Sequence, residues 1–153
     1  MQTFTVIFLT ALALATATKL WLGARHLRHV RRHRERVPAE FESEVGLDAH
    51  HRAADYSCAK TRLALISAGF ECAVILILTF GGGLQLLHDV TALWFAPGVA
   101  RGVALMVLLA AAMAVIDLPF GWYRAFGIEQ RFGFNKMTPA LFIADALKHA
   151  ALA

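Results

Sequence analysis

Three long hydrophobic runs limit what this chain can fold into. They extend over about residues 4–22, 63–80 and 99–116. A helix of about 20 mostly apolar residues crosses the roughly 30 Å hydrocarbon core of a bilayer, and each run is close to that length. The chain is 58% hydrophobic and 17% charged, whereas a soluble domain is about half apolar and a quarter charged. The sequence therefore predicts an all-α, multi-pass transmembrane protein with three complete spans and the start of a fourth helix.

The first run has a cleaved signal peptide as its alternative interpretation, because residues 15–17 resemble a small-residue cleavage site. Such a peptide begins with a basic segment, and residues 1–3 carry no charged side chain. Lys19 lies near the end of the run, where a long side chain can snorkel to the interface. The positive charge follows the run, at Arg25, Arg28, Arg31, Arg32, Arg34 and Arg36. We therefore interpret residues 4–22 as an uncleaved span.

The distribution of charge predicts the orientation. Segments 23–62 and 117–138 contain many arginines and lysines, whereas segment 81–98 has Asp89 as its only formal charge. Because basic loops remain in the cytoplasm, we expect the first two segments to be cytoplasmic loops and the third to be an outside loop. The amino terminus then lies outside. Pro119 is expected to end the third helix, since proline disrupts a helix interior.

The basic stretch after the first run has two competing interpretations, nucleic-acid binding and a metal site. Positive residues beside a span ordinarily meet anionic lipid headgroups, which argues against nucleic acid. His26, His29 and His33 would share one helix face, but neighbouring guanidinium groups would repel a cation there. Cys58 and Cys72 are too few for a disulfide framework and are expected to be free thiols.

Glu71 is the polar residue that most needs an explanation, because it interrupts the second run. A charged carboxylate at membrane depth costs several kcal/mol unless it meets water or a partner. It is either a protonated or hydrogen-bonded residue that seals helix packing, or a residue facing a water-filled cavity, and we expect the cavity. No His-Glu-x-x-His motif, phosphate-binding loop or nucleophile constellation occurs in the sequence. We therefore expect this chain to supply no catalytic residue and no metal ligand.

The densest pattern of aromatic and polar residues follows the third run. Its apolar members are too hydrophobic for a loop exposed only to water. Gly133 gives the backbone freedom between two aromatic residues, and Thr138 and Pro139 are typical of the N-cap and first turn of a helix. The pattern consists of Asp117, Leu118, Pro119, Tyr123, Phe126, Ile128, Glu129, Phe132, Gly133, Phe134, Asn135, Thr138, Phe142, Asp145 and Lys148.

This pattern closely resembles the amino-terminal membrane region of the type I CAAX prenyl protease family, which includes the yeast a-factor-converting enzyme. Upstream, Val37 and Pro38 with Phe41, and residues 51–56 with Lys60 and Arg62, resemble the family's loop between its first two spans. The resemblance implies a zinc metallopeptidase whose His-Glu-x-x-His helix and later glutamate hold the metal. These ligands are not in the 153 residues, so we expect the chain to represent the amino-terminal part of a longer protein. It is then expected to bind no cofactor itself.

Two functional classes remain open. In the first, the chain is the membrane-embedded part of a zinc metalloendopeptidase, which forms an intramembrane chamber and docks the catalytic domain through residues 128–135. Its partners would be the lipid bilayer, a carboxy-terminal protease domain and a peptide or prenylated-peptide substrate. In the second, it is a small stand-alone membrane adaptor that binds a protein through its aromatic loop. The frequent alanine and arginine favour a bacterial inner membrane as its location.

We predict that cysteine labelling in intact cells will follow the charge asymmetry. In a background with Cys58 and Cys72 replaced by serine, Asp89→Cys should react with an impermeant maleimide from outside. Arg32→Cys and Arg131→Cys should react only after the membrane is permeabilised, because their segments carry the positive charge. Labelling in the opposite order would refute the orientation.

Overall fold

The structure, a computed structural model, describes residues 2–38 and 46–152, and the regular secondary structure of these residues is entirely helical. The elements in chain order are α1 (Gln2–Arg32), α2 (Leu47–Thr79), α3 (Gly83–Trp94), α4 (Val99–Trp122), a π-helix (Tyr123–Glu129) and α5 (Pro139–Leu152). Within the described ranges, α1, α2 and α4 with its π-helical continuation are long and apolar enough to cross a membrane. The predicted all-α, three-span fold is confirmed. Phe41, which contributes to the family resemblance, lies outside the described residues.

The helices are longer than the hydrophobic runs. α1 has 31 residues and α2 has 33, and at 1.5 Å per residue each is longer than about 45 Å, well beyond the roughly 30 Å hydrocarbon core. Part of segment 23–62 is therefore helical, and most of segment 81–98 forms α3. The charge of the arginines ends the apolar run but not the helix, because arginine has a high helix propensity.

Pro119 does not end the third helix, so that prediction was wrong. α4 continues through Pro119 to Trp122 and passes into the π-helix. There the amide of Gln130 donates to the carbonyl oxygen of Ala125, five residues earlier. Proline removes one backbone donor, but transmembrane helices tolerate it because neighbouring groups and local π-type turns satisfy the backbone groups it frees.

The chain divides into two compact units, Met1–Ala73 with Arg131–Gly133, and Val74–Gln130 with Phe134–Ala153. In the first unit, α1 and α2 approach closely at Gly23, where an added Cβ would lie 2.5 Å from Cδ2 of Leu65. Glycine therefore permits this packing. In the second unit, α4 packs against α3 and α5.

Large apolar side chains are widely exposed, as expected for helices surrounded by lipid. Neither α1 nor α4 has a buried residue. Phe4, Trp94 and Val99 are 75%, 80% and 85% exposed. A soluble protein rarely exposes apolar surface on this scale, so the surface agrees with the membrane location that the runs predict.

A bidentate ion pair connects Arg34, which follows α1, with Asp55 of α2. Arg34 donates from Nε to Oδ1 of Asp55 at 2.9 Å and from Nη2 to Oδ2 at 3.0 Å. Its Nη1 donates to Glu35 at 2.7 Å. The hydrogen bonds from Arg34 hold the pKa of the Asp55 carboxyl below its usual range, because they favour its charged form.

We predict that acid weakens this connection. Because the pKa of Asp55 is lower in the folded state, its charge stabilises the fold above the unfolded pKa of about 3.9, and this contribution is lost as pH falls through the lower folded pKa. Thermal unfolding of the wild type and Asp55→Asn should differ slightly near neutral pH and converge in acid, since the pair is partly exposed. Asp48→Asn is the control and should behave as the wild type. A difference between wild type and Asp55→Asn that persists unchanged in strong acid would contradict this account.

Candidate functional site

Glu71 pairs with a lysine of the first helix. Nζ of Lys19 lies 3.4 Å from Oε2 of Glu71, and the two side chains are 65% and 47% exposed. Lys19 thus extends toward α2, whereas its position near the end of the run predicts that it snorkels to the interface. The sequence carried a signal for this contact, because Lys19 and Glu71 are the only formally charged residues of runs 4–22 and 63–80 and have opposite sign. Opposite charges in two consecutive spans favour a pair.

Three aromatic rings connect the end of α4, the π-helix and α5. The ring centroid of Trp122 lies 4.3 Å from that of Phe126 and 5.5 Å from that of Phe142, with the second contact edge to face. Phe126 and Phe142 are 5.9 Å apart. Such pairs contribute about 0.5–1.5 kcal/mol each beyond the burial of their area. Of the predicted pattern, Phe126 and Phe142 therefore stabilise the fold of the second unit.

A tight backbone turn follows the π-helix. The carbonyl oxygen of Glu129 accepts hydrogen bonds from the amides of Phe134 at 2.9 Å and Asn135 at 3.2 Å. Gly133 has a φ of 80°, a conformation that glycine adopts without the strain that other residues meet. Oδ1 of Asn135 accepts the amide hydrogen of Met137 at 2.7 Å. The predicted role of Gly133 is thus explained by its backbone, and Asn135 orders the chain that leads to α5.

Ile128 and Glu129 lie just before this turn and have different surroundings. Ile128 is 4% exposed, so its side chain belongs to the interior of the second unit. Nε of Arg124 lies 3.3 Å from Oε1 of Glu129, whose side chain is 28% exposed. The carboxylate of Glu129 is therefore neutralised by Arg124 on the π-helix.

The two phenylalanines of the predicted docking loop differ. In the first unit, the ring of Phe132 packs edge to face on Tyr56 of α2, with centroids 5.4 Å apart. The guanidinium of Arg131 lies 5.8 Å from the centre of the Phe132 ring, and Nζ of Lys60 lies 5.0 Å from the centre of the Tyr56 ring. In the second unit, Phe134 is 61% exposed. Sequence reasoning treated both as one surface, because it had no means to find Tyr56 as the neighbour of Phe132.

The helix start predicted at Thr138 and Pro139 is confirmed. α5 begins at Pro139, and the amide of Leu141 donates to Oγ1 of Thr138 at 3.2 Å. This is the bond that an N-cap threonine makes to the third residue of its helix. Further along α5, Lys148 and Asp145 approach to 3.8 Å.

The remaining residues of the pattern lie on α4 and the π-helix. Asp117 and Pro119 are exposed on α4. Tyr123 is 58% exposed, and a Cβ added at Gly127 would lie 3.0 Å from the tyrosine ring. Gly127 therefore makes room for Tyr123 within the π-helix.

Comparison with known proteins decides the family. The model of the family described as "CAAX prenyl protease N-terminal, five membrane helices" matches residues 26–153. This chain belongs to that family. The resemblance found in the sequence is confirmed.

The CAAX protease relatives extend well beyond the length of this chain. CAAX prenyl protease 1 of Saccharomyces cerevisiae is 28% identical over 77% of this chain and 28% of its own length. CAAX prenyl protease 1 homolog of Mus musculus is 30% identical over 93% of this chain and 32% of its own length. The chain thus spans roughly a third of these curated relatives.

The fold is also shared with a solved structure. The crystal structure of S. mikatae Ste24p matches with a TM-score of 0.86 and 24% identity, covering 96% of this chain and 35% of that chain. At this identity the match shows the fold. These relatives are eukaryotic, so the bacterial location stays a prediction from composition. The orientation stays a prediction from the charge asymmetry.

Candidate metal ligands do not converge in the described part of this CAAX-family chain. Residues 2–38 and 46–152 contain no group of three or more His, Cys, Asp or Glu side chains placed to hold a metal ion. The rings of His29 and His33 stack with centroids 4.2 Å apart, and Nδ1 of His33 lies 2.9 Å from the carbonyl oxygen of His29. Cys58 and Cys72 are free thiols, as expected.

We predict that the pair between Lys19 and Glu71 stabilises the packing of α1 on α2. Lys19→Glu should lower the unfolding temperature in detergent because it places two carboxylates together, and the exchange Lys19→Glu with Glu71→Lys should restore most of the loss. The coupling free energy of a polar contact between membrane helices is about 0.6–2 kcal/mol, and a double-mutant cycle measures it. The pair contributes nothing if this coupling is zero within error.

Proposed function

We propose that this chain is the membrane-embedded amino-terminal part of a zinc metalloendopeptidase of the CAAX prenyl protease type. The family match over residues 26–153 is the observation that carries this proposal. The chain contributes walls of an intramembrane chamber and a docking surface, whereas a catalytic domain outside these residues supplies peptide hydrolysis. The described residues offer no fit for zinc, so the metal and its ligands belong to that domain in this proposal. Its substrate would be a peptide or a prenylated peptide.

The intramembrane pair supports the chamber. The side chains of Lys19 and Glu71 are 65% and 47% exposed in this chain although they lie in apolar runs. Two charged groups in contact with lipid tails would be strongly unfavourable, whereas ionisable groups at this depth usually face a bundle interior or a water-filled cavity. We therefore place the exposed side of this pair on the chamber.

The segment after the π-helix supports docking. The carbonyl of Glu129 and the side chain of Asn135 fix its backbone, while Phe134 is 61% exposed. A large aromatic side chain presented on an ordered turn loses little conformational freedom on binding, which is why such residues frequently carry binding energy. Phe132 has a different role in this proposal, because it contacts Tyr56 of α2 within the first unit.

The adaptor hypothesis is the second candidate. The exposure of Phe134 also suits a separate protein as partner, and the chain would then act without any peptidase domain. The two candidates differ in the partner that Phe134 recognises. A catalytic domain of the same family is the partner in the first, and an unrelated protein is the partner in the second.

We predict that Phe134→Ala and Phe132→Ala have separable effects. The chain should be co-expressed with a family fragment that carries His-Glu-x-x-His, and peptidase activity and co-purification measured. Phe134→Ala should reduce both about tenfold, because truncating a binding hot spot costs more than about 1–2 kcal/mol, while the unfolding temperature stays unchanged. Phe132→Ala should lower the unfolding temperature, because the edge-to-face pair with Tyr56 is lost.

Phe95→Ala is the control, since this exposed phenylalanine follows α3 and lies on the opposite predicted side of the membrane. It should change neither readout. Full activity and co-purification of Phe134→Ala would overturn the docking role. Stoichiometric zinc in the purified chain, lost on mutation within its 153 residues, would show that the chemistry lies here instead.

A further inference from the structure

An open groove lies on the first unit where the apolar part of α1 gives way to its basic extension. Its volume is about 350 Å³, and it is lined by Ala24, Leu27, Arg28, Arg31, Arg32 and Leu65. Small-molecule sites generally have volumes of about 300–1,000 Å³. The groove therefore has room for a headgroup with the adjoining part of an acyl chain.

The lining residues of α1 form one continuous stripe. Leu27, Arg28, Arg31 and Arg32 follow Ala24 by three, four, seven and eight residues, which is the spacing of a single helix face. Side chains of a helix tilt toward its amino terminus. Because α1 leaves the apolar run in the opposite direction, the guanidinium groups of this stripe are directed back toward the membrane surface.

The three arginines of the groove have no acidic partner among residues 2–38 and 46–152. The ion pairs of these ranges include Arg34, which contacts both Asp55 and Glu35, but none of the groove arginines. Three neighbouring positive charges repel one another, and an anion placed between them relieves that repulsion. The groove thus combines a positive rim, without an acidic partner in the described ranges, with an apolar floor formed by Ala24, Leu27 and Leu65.

The geometry points to a binding site for an anionic phospholipid in this groove. The arginines donate to the phosphate oxygens of the headgroup, a geometry that the planar guanidinium suits because it can donate two parallel hydrogen bonds. The first carbons of an acyl chain lie against the apolar floor. The occupant is a lipid rather than a free phosphate ion, because half of the lining is apolar and the site adjoins a run that crosses the membrane.

The test measures lipid retained by the whole chain. The protein is incorporated into nanodiscs of phosphatidylcholine and phosphatidylglycerol in equal amounts, released into mild detergent and examined by native mass spectrometry. We expect one phosphatidylglycerol per wild-type chain and no retained phosphatidylcholine. Each arginine near a membrane surface contributes about 1 kcal/mol to binding of anionic lipid, so neutralising three of them should reduce retention on the order of 100-fold.

Two triple variants separate a site from general attraction. The first neutralises the groove with Arg28→Gln, Arg31→Gln and Arg32→Gln. The second removes the same charge outside the groove with Arg25→Gln, Arg36→Gln and Arg52→Gln. Retention should fall in the first and persist in the second. Equal retention in both, or equal loss in both, would overturn the site in favour of diffuse electrostatics.

A variant that keeps the positive charge tests whether the loss of lipid comes from the groove rather than from misfolding. Ala24→Phe fills the floor of the groove and keeps all three arginines, so it should also lose the retained lipid while its circular dichroism spectrum stays helical. Lipid retained by this variant at the wild-type level would contradict the assigned floor. Displacement of the lipid by millimolar inorganic phosphate would instead show an anion site that needs no acyl chain, and would overturn the lipid assignment.

The chain's own glutamates provide the last control. Glu40, Glu42 and Glu44 lie outside the described residues, and their sequence places them close after the arginines. If the wild type retains no anionic lipid and the variant with all three changed to glutamine does, the groove is neutralised by the chain itself and the proposal is wrong. These outcomes are independent of peptidase activity, so they leave the proposed function untouched.

Discussion

The absence of water from the hydrocarbon core determines most of this structure. A backbone amide or carbonyl group in lipid has no partner other than the chain itself, and an unsatisfied group costs several kcal/mol. α1, α2 and α4 therefore run unbroken through their apolar parts. Pro119 lies within α4, just beyond the predicted apolar run 99–116. The helix changes its hydrogen-bonding pattern to the π type soon afterwards and stays intact.

Polar contacts then set how α1 and α2 pair in the first unit. Lys19 and Glu71 meet within the apolar part, and Arg34 and Asp55 meet beyond it. Between them in the sequence of α1, Gly23 lets the helix backbone approach Leu65. Lipid tails are as apolar as the side chains, so membrane helices associate through close packing and interhelical polar contacts. The close approach at Gly23 and the two ion pairs are contacts of these two kinds.

The fold was largely predictable from the sequence, whereas much of the candidate site was not. The hydrophobic runs predicted the spans. Thr138 indicated the start of a helix and Gly133 indicated a flexible backbone position, because both signals depend only on neighbouring residues. The contact of Phe132 with Tyr56 joins residues far apart in the chain. The spacing of residues within one helix or loop cannot predict such a contact. The π-helix was missed because its hydrogen bonds span five residues instead of four, a difference that the spacing of apolar residues over seven positions does not reveal. The same sequence rules wrongly ended the helix at Pro119.

The π-helix also changes which side chains lie on each face of the helix that contains it. A π-helical turn accommodates more residues than an α-helical turn, and in an α-helix each residue corresponds to about 100° of rotation. The π-helix therefore exposes a different set of positions from α4. α4 has no buried residue, whereas Ala125 and Ile128 of the π-helix are buried. Relatives that lack one residue between positions 123 and 129 would present a different side of the same segment to their partners.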